Sequence, residues 1–251
     1  MPPPSSEPCE LLAWDSQFWG FSIGRVRAQQ LDPNVLVEID AWSKRHATRC
    51  IYLLAKANDF ETTRLAEEAG FRLVDVRMTY AWSLAGDGFA KESSKIDVID
   101  VRQASEFDLP ELRRIASTSY QSTRFYHDPC FPRTLCNALY ETWIEKSYHG
   151  YADALFVAEQ GGQVEGYISC HLGSGASQGS IGLVGIHPAG RGRGVAQQLV
   201  RHACAWFRAA GASQVNVVTQ ARNVDAQRMY QRSGFLLADV RLWFHRWTAT
   251  P

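Results

Sequence analysis

Between Ile181 and Val200 the chain reads IGLVGIHPAGRGRGVAQQLV: an apolar strand, a proline turn, a glycine-arginine loop and then a helical pattern. This order confines the surrounding segment to an α/β arrangement, because a strand end and a helix start must meet across a tight loop. Arg191, Gly192, Arg193, Gly194, Val195 and Ala196 keep side chains small where backbone must approach a ligand. They also direct the free N–H groups of a helix start outward, which favours an anion such as a pyrophosphate. Arg191 and Arg193 add local positive charge. An isolated Arg-Gly-Arg-Gly is more often a solvated turn, so the strand-loop-helix context carries the cradle reading.

The cradle sits late in a 251-residue chain that is 45% hydrophobic, enough material for one large or two modest cores. Formal net charge is zero, which argues against nucleic acid or an anionic membrane as a partner and confines anion binding to local sites. The proline-rich start lacks a basic and apolar leader pattern, and there is no apolar run of membrane-spanning length; a cytoplasmic location is expected. Cys9, Cys50, Cys130, Cys136, Cys170 and Cys204 are scattered without close pairs, so reduced thiols and no metal are expected.

The polar stretch around Gly86 to Lys95 has linker composition, and it divides an N-terminal αβ domain, residues 1–90, from a second domain, residues 96–251. Strands are expected at Val26–Gln30, Cys50–Lys56 and Phe71–Trp82, with helices over Asn34–Ala47 and Asp59–Ala69. In the second domain a strand over Lys95–Gln103 precedes a helix capped by Ser105, and another helix runs near Leu135 to Tyr148. Strands at Ala154–Gln160 and Val164–Leu172 flank Gly161-Gly162, a hairpin signal. A strand at Ser180–Ile186 and a helix from Gly194 to Gly211 follow, then a strand at Gln214–Gln220, a helix at Val224–Ser233 and a strand from Phe235. Gly-Phe-x-Leu-x-Asp-Val-Arg occurs at both Gly70 and Gly234, each time after a strand and a helix, which suggests duplicated halves. The first half lacks the glycine-arginine loop and has Ala66 where the second has Tyr230.

The second motif is Asn223-x-x-Ala226-x-x-x-Tyr230-x-x-x-Gly234-Phe235. Paired with the loop form R-x-x-G-x-A at Arg191 to Ala196, it resembles the GNAT acetyltransferase superfamily. The resemblance implies a GNAT fold with a mixed central sheet, preceded by a smaller degenerate GNAT-like half. It implies acetyl-CoA as co-substrate, inserted where the strand at Gly182–Ile186 splays from that at Val215–Gln220. Backbone amides at Val184, Gly185 and Ile186 would hold the pantetheine arm and polarise the thioester carbonyl. Asn223 would bond the pantetheine or position the tyrosine's helix. Tyr230 matches the proton donor to the departing thiolate; a phenol near pKa ~10 can protonate a thiolate whose conjugate acid lies near ~8.5.

The amine must lose a proton, and the sequence does not identify the group that takes it. Asp75 is attractive, but Asp239 recurs at the equivalent place, which favours a structural role for both; Glu68, Asp108, Asp128 and His127 are no better founded. The segments Leu11–Val26 and Ser119–Pro132 are similar to those of the enzymes in this superfamily that acetylate nucleotide-linked 4-amino-4,6-dideoxy sugars such as dTDP-fucosamine. By that resemblance Arg124, Phe125, Tyr126 and His127 line the acceptor pocket, Arg124 forking onto phosphate and the aromatics stacking on sugar or base. Asp75 is a substrate-side candidate by its expected place on a first-half strand beside the second-half site. A nucleotide sugar is therefore the expected small-molecule partner, and a homodimer is compatible with the reading. Another small amine (an aminoglycoside or an amino acid) and a non-catalytic acyl-CoA sensor are the alternatives.

Overall fold

The computed structural model describes residues 7–84, 99–175 and 177–248. The linker expected around Gly86 lies outside them, as does the beginning of the strand expected from Lys95. The chain divides into two compact units: Met1–Arg77 with Thr123–Pro132 and Val240–Pro251, and Met78–Ser122 with Arg133–Asp239. These are not consecutive halves. Thr123–Pro132 and Val240–Pro251 belong with the first unit although both lie beyond residue 96, where the sequence places the start of the second domain.

The first unit holds β1 (Cys9–Leu11), α1 (Ala13–Trp19), β2 (Ile23–Val26), α2 (Pro33–Arg45), β3 (Cys50–Lys56) and α3 (Phe60–Glu68). It also takes the start of β4 (Arg72–Ser83), the short α5 (Arg124–His127) and most of β10 (Leu236–Trp247). β2 runs parallel to β3, and β10 pairs antiparallel with β3 from Arg241↔Lys56 to Trp247↔Cys50. The strand expected over Val26–Gln30 stands three residues earlier, because Gly24 lets it close on Trp42: an added Cβ would lie 2.6 Å from that ring. Asp32 caps α2 by accepting from the Asn34 and Val35 amides, and Asp59 caps α3 by accepting from Thr62. Ile39, Trp42, Ile51, Leu53, Leu65, Phe71 and Phe244 form this unit's core.

The second unit contains the end of β4, then β5 (Asp100–Gln103), α4 (Leu109–Ser119), α6 (Arg133–Lys146), β6 (Ala154–Gln160), β7 (Gln163–Leu172) and β8 (Gln178–Ile186). α7 (Val195–Ala209), β9 (Gln214–Gln220) and α8 (Val224–Arg232) complete it. Its strands lie in the order β4-β9-β8-β7-β6-β5. β6 and β7 form the hairpin across Gly161-Gly162, both glycines at positive φ, and β8 and β9 run parallel. α7 buries Leu199, Val200, Ala203, Cys204 and Phe207 on one face, each large apolar side chain contributing about 1.5–3 kcal/mol of burial. Ser105 and Asp108 form a capping box, and Asp108 also receives Arg102, which holds its carboxyl down to about 2. That makes Asp108 a structural anion rather than a base.

The repeated sequence is a repeated structure. β3-α3-β4 and β9-α8-β10 are each a strand, a side-chain-capped helix, a Gly at positive φ, a buried Phe and a 12-residue strand. All six cysteines are free. Among the described residues no helix is long and apolar enough to cross a membrane.

Candidate active site

β8 and β9 pair over four residues, from Gln178↔Gln214 to Ile181↔Val217, and no further. From Gly182 onward the edge of β8 turned toward β9 has no strand partner among the described residues. The expected divergence is present but begins after Val217, so Val215 to Val217 are still paired. A bulge marks the same point: Ile168 opposes Val184 and Cys170 opposes Ile181, leaving Gly182 and Leu183 across from Ser169 alone. The Leu183 amide donates to Ser169 Oγ at 2.8 Å. Glycine is required on both sides of Val184, because Cβ at Gly182 would lie 2.4 Å from His171 Nε2 and Cβ at Gly185 2.5 Å from the Tyr167 ring.

Beyond Ile186, His187 caps a short turn at Pro188–Gly190 and the chain enters the loop before α7. Gly192 and Gly194 have φ of 76° and 81°, a region that L side chains enter only at a cost. Gly194 is the N-cap of α7 and supplies no side-chain cap, and an added Cβ at Gly192 would meet nothing within 4 Å. The first turn therefore has no side-chain cap at the positive end of a 15-residue helix, which suits a phosphate group. Arg193 is turned toward Glu165 and Gln160, so its charge is shared within the protein, while Arg191 is exposed.

Asn223 accepts the Ala226 amide through Oδ1 at 3.3 Å and so caps α8, the helix that carries Tyr230. Tyr230 is 4% exposed, with ring centroids of Tyr80 and Phe235 at 6.3 and 5.8 Å. Burial pushes its phenol well above the ordinary range, so it carries its proton at any physiological pH. Val184, Gly185, Ile186, the loop Arg191–Ala196, Asn223 and Tyr230 all belong to the second unit.

The residues singled out for the acceptor belong to the first unit. Arg124 lies 4.1 Å from the Trp243 ring centre, 4.3 Å from Phe125 and 5.1 Å from Tyr52, and its buried Nε has no hydrogen-bond partner. Phe125 and Tyr126 are buried, Phe125 against Trp19 and Phe131, while His127 is exposed. Asp75 is buried and accepts the Val76 amide. Asp128 accepts from His245 Nδ1 at 2.7 Å and Trp247 Nε1 at 2.9 Å. Burial acts to raise its pKa, yet these bonds hold it below the usual value. Burial drives His245 down to about 4 and leaves it neutral, with Nε2 unpartnered. Nothing in the sequence marks His245, since β10 carries no motif there, and Asp128 stands in it as one acid among several.

The architecture and the site together define an acetyltransferase: the Acetyltransferase (GNAT) family matches residues 110–235, half of the chain, and the protein belongs to that family. It is an acyl-CoA-dependent N-acetyltransferase, and acetyl-CoA is the family's co-substrate. The chain is 28% identical over 243 residues to dTDP-fucosamine acetyltransferase of Escherichia coli O6:H1, which covers 94% of this chain and 97% of that enzyme. It is 26% identical over 143 residues to the spore coat polysaccharide biosynthesis protein SpsD of Bacillus subtilis, covering 56% of this chain and 48% of that protein. In fold it is similar to the GCN5-related N-acetyltransferase from Sphaerobacter thermophilus, with a TM-score of 0.67, 17% identity, and coverage of 95% of this chain and 76% of that one.

Proposed function

We propose that this acetyltransferase acts on the amine of a nucleotide-linked 4-amino-dideoxy sugar resembling dTDP-fucosamine, with Tyr230 as general acid. The observation that carries the acetyl-transfer part is the unpaired β8 edge from Gly182, followed directly by the uncapped start of α7. The acceptor reading is supported by the relative that spans nearly the whole chain and by Arg124, whose guanidinium is held by three rings and forms no ion pair among the described residues.

When bound, acetyl-CoA supplies an activated acyl group on sulfur. The amides of Arg191 to Ala196 bind its pyrophosphate, and those of Val184 to Ile186 orient the pantetheine and thioester on the free edge of β8. Asn223 fixes the start of α8 through Ala226, which sets the height of Tyr230 two turns on. Tyr230 Oη donates its proton to the leaving sulfur; its raised pKa keeps the donor loaded. Arg124 binds a phosphate oxygen of the nucleotide, His127 and the Asp75 region lie on the same unit, and Phe125 and Tyr126 support that segment from the core. The first unit is on this reading a degenerate copy that has lost the cofactor motifs.

Thiol release from acetyl-CoA against a panel of nucleotide-linked amino sugars, aminoglycosides, amino acids and peptides tests the assignment. Turnover is expected on 4-amino-dideoxy sugar nucleotides, and silence there with turnover on peptides would sink it.

A further inference from the structure

Amine acetylation requires a group to take the proton that the nitrogen loses, and β7 offers one. Tyr167, Ser169 and His171 alternate along one face of the strand, while Ile168 and Cys170 enter the core against α7 on the other. Opposite them β8 is bare: His171 Nε2 occupies the space a side chain at Gly182 would need, and the Tyr167 ring fills that at Gly185. His171 therefore sits at the bulge, where β8 parts from β9 and the Leu183 amide is anchored by Ser169.

The imidazole is held there. The Tyr151 ring closes on it edge-on with centroids 5.4 Å apart, and Nε2 is the ring atom nearest the bare position at Gly182. A neutral imidazole carries one protonated nitrogen and one that accepts a proton. The side chain is half-buried, so it is reachable from solvent. Burial lowers its pKa below the ordinary 6.5, opposed by the Tyr151 carbonyl and by Asp153, the charged group that faces it. Asp153 is itself engaged, accepting the Leu172 amide at 2.7 Å. The ring is thus neutral at pH 7.

We propose that His171 is the general base of the transfer, accepting the proton of the attacking amine at the bulge of β8. The inference rests on the acetyl-transfer reading but not on the identity of the sugar. The nitrogen–carbonyl bond forms and the carbon–sulfur bond breaks; the amine proton passes to the free ring nitrogen of His171, and the departing sulfur takes the proton of Tyr230 Oη. His171 then releases its proton to solvent, from which Tyr230 is reprotonated.

Two measurements on the full chain test this. In the first, the histidines are labelled with nitrogen-15 and His171 is titrated by NMR after assignment through the backbone. A neutral ring at pH 7 with a midpoint below 6.5 is expected, and a ring still cationic at pH 7 overturns the proposal. In the second, kcat is followed from pH 5 to 9 for the wild type and His171→Gln with any amine the wild type acetylates. The substitution should lower kcat at pH 7 by about 10²-fold and remove the inflection set by His171 below 6.5, leaving only the slower climb that follows deprotonation of the amine. Affinity for acetyl-CoA should stay within about twofold, showing an intact fold. A variant that keeps the wild-type kcat and the inflection below 6.5 overturns the proposal. If the sugar panel is silent, the function assignment falls while the NMR titration still decides the role of His171.

Discussion

Replacing Gly185 by alanine puts a methyl carbon 2.5 Å from Tyr167 Cζ, 2.6 Å from Cε1 and 2.7 Å from Oη. Ordinary contact needs about 3.5 Å or more, so something must move by roughly 1 Å. Tyr167 cannot yield easily: it is fully buried, and its hydroxyl lies 3.0 Å from that of Tyr120, whose ring stacks on Tyr140 at 4.3 Å. Overpacking of this kind costs about 1–3 kcal/mol. Against it stands the roughly 0.5–1 kcal/mol by which alanine is ordinarily better than glycine inside a strand. The net expectation is a loss of up to about 2.5 kcal/mol, and a rise in KM for acetyl-CoA, because the strand that moves is the free edge of β8. A double-mutant cycle by urea denaturation isolates the clash. With Tyr167→Ala already in place the space is empty, so Gly185→Ala should become neutral or slightly stabilising. An equal cost in both backgrounds would refute the close-approach argument.

Asn223→Ala should lose about 0.5–1 kcal/mol of stability and lower kcat, whereas Asn223→Ser should restore most of both if the side chain acts as a cap; failure of serine to rescue kcat while stability returns would instead mark direct contact with the co-substrate. His245, at about 4 in the folded protein against 6.5 in the unfolded chain, makes the unfolded state bind the extra proton as pH falls from 6.5 toward 4. Stability is therefore full above 6.5 and declines below it, by up to ~3 kcal/mol, and urea midpoints at pH 7.5 and 5 should differ in the wild type but much less in His245→Gln. Arg124→Gln should weaken binding of a free nucleoside diphosphate about tenfold or more in calorimetry while leaving acetyl-CoA affinity unchanged; equal affinity for the diphosphate would remove Arg124 from the acceptor reading.

The second unit was largely legible because its strands and helices announce themselves by local chemistry. Ala154–Gln160 and Gln214–Gln220 are found where periodicity puts them, and Gly161-Gly162 and the loop to Gly194 mark their own turns. α1 was invisible: it has seven residues, Leu12 at its N-cap and no side-chain cap bond. The four-residue α5 is too short for any period to show. The divergence of β8 from β9 cannot be read from either strand, since both remain regular and only their pairing stops at Ile181↔Val217. The placement of Thr123–Pro132 and Val240–Pro251 with the first unit is likewise tertiary, set by contacts such as Asp128 with His245 and Trp247 that no local pattern encodes. His171 does carry a sequence signal: Tyr167, Ser169 and His171 are the polar members of an alternating strand whose other face is Ile168 and Cys170. The cysteines and Asp108 needed the structure to show that they are packed or paired.

Acetyl-CoA bound on the free edge of β8, with Tyr230 delivering the proton to the leaving sulfur, is tested most directly by comparing the wild type with Tyr230→Phe. The phenol is buried and supplies only its hydroxyl to the proposed step, so the variant keeps the ring contacts with Tyr80 and Phe235. The dissociation constant for acetyl-CoA, measured by calorimetry, should be unchanged within about twofold while kcat for thiol release falls by about 10²-fold or more. Unchanged kcat, or loss of binding equal to the loss of rate, would contradict it.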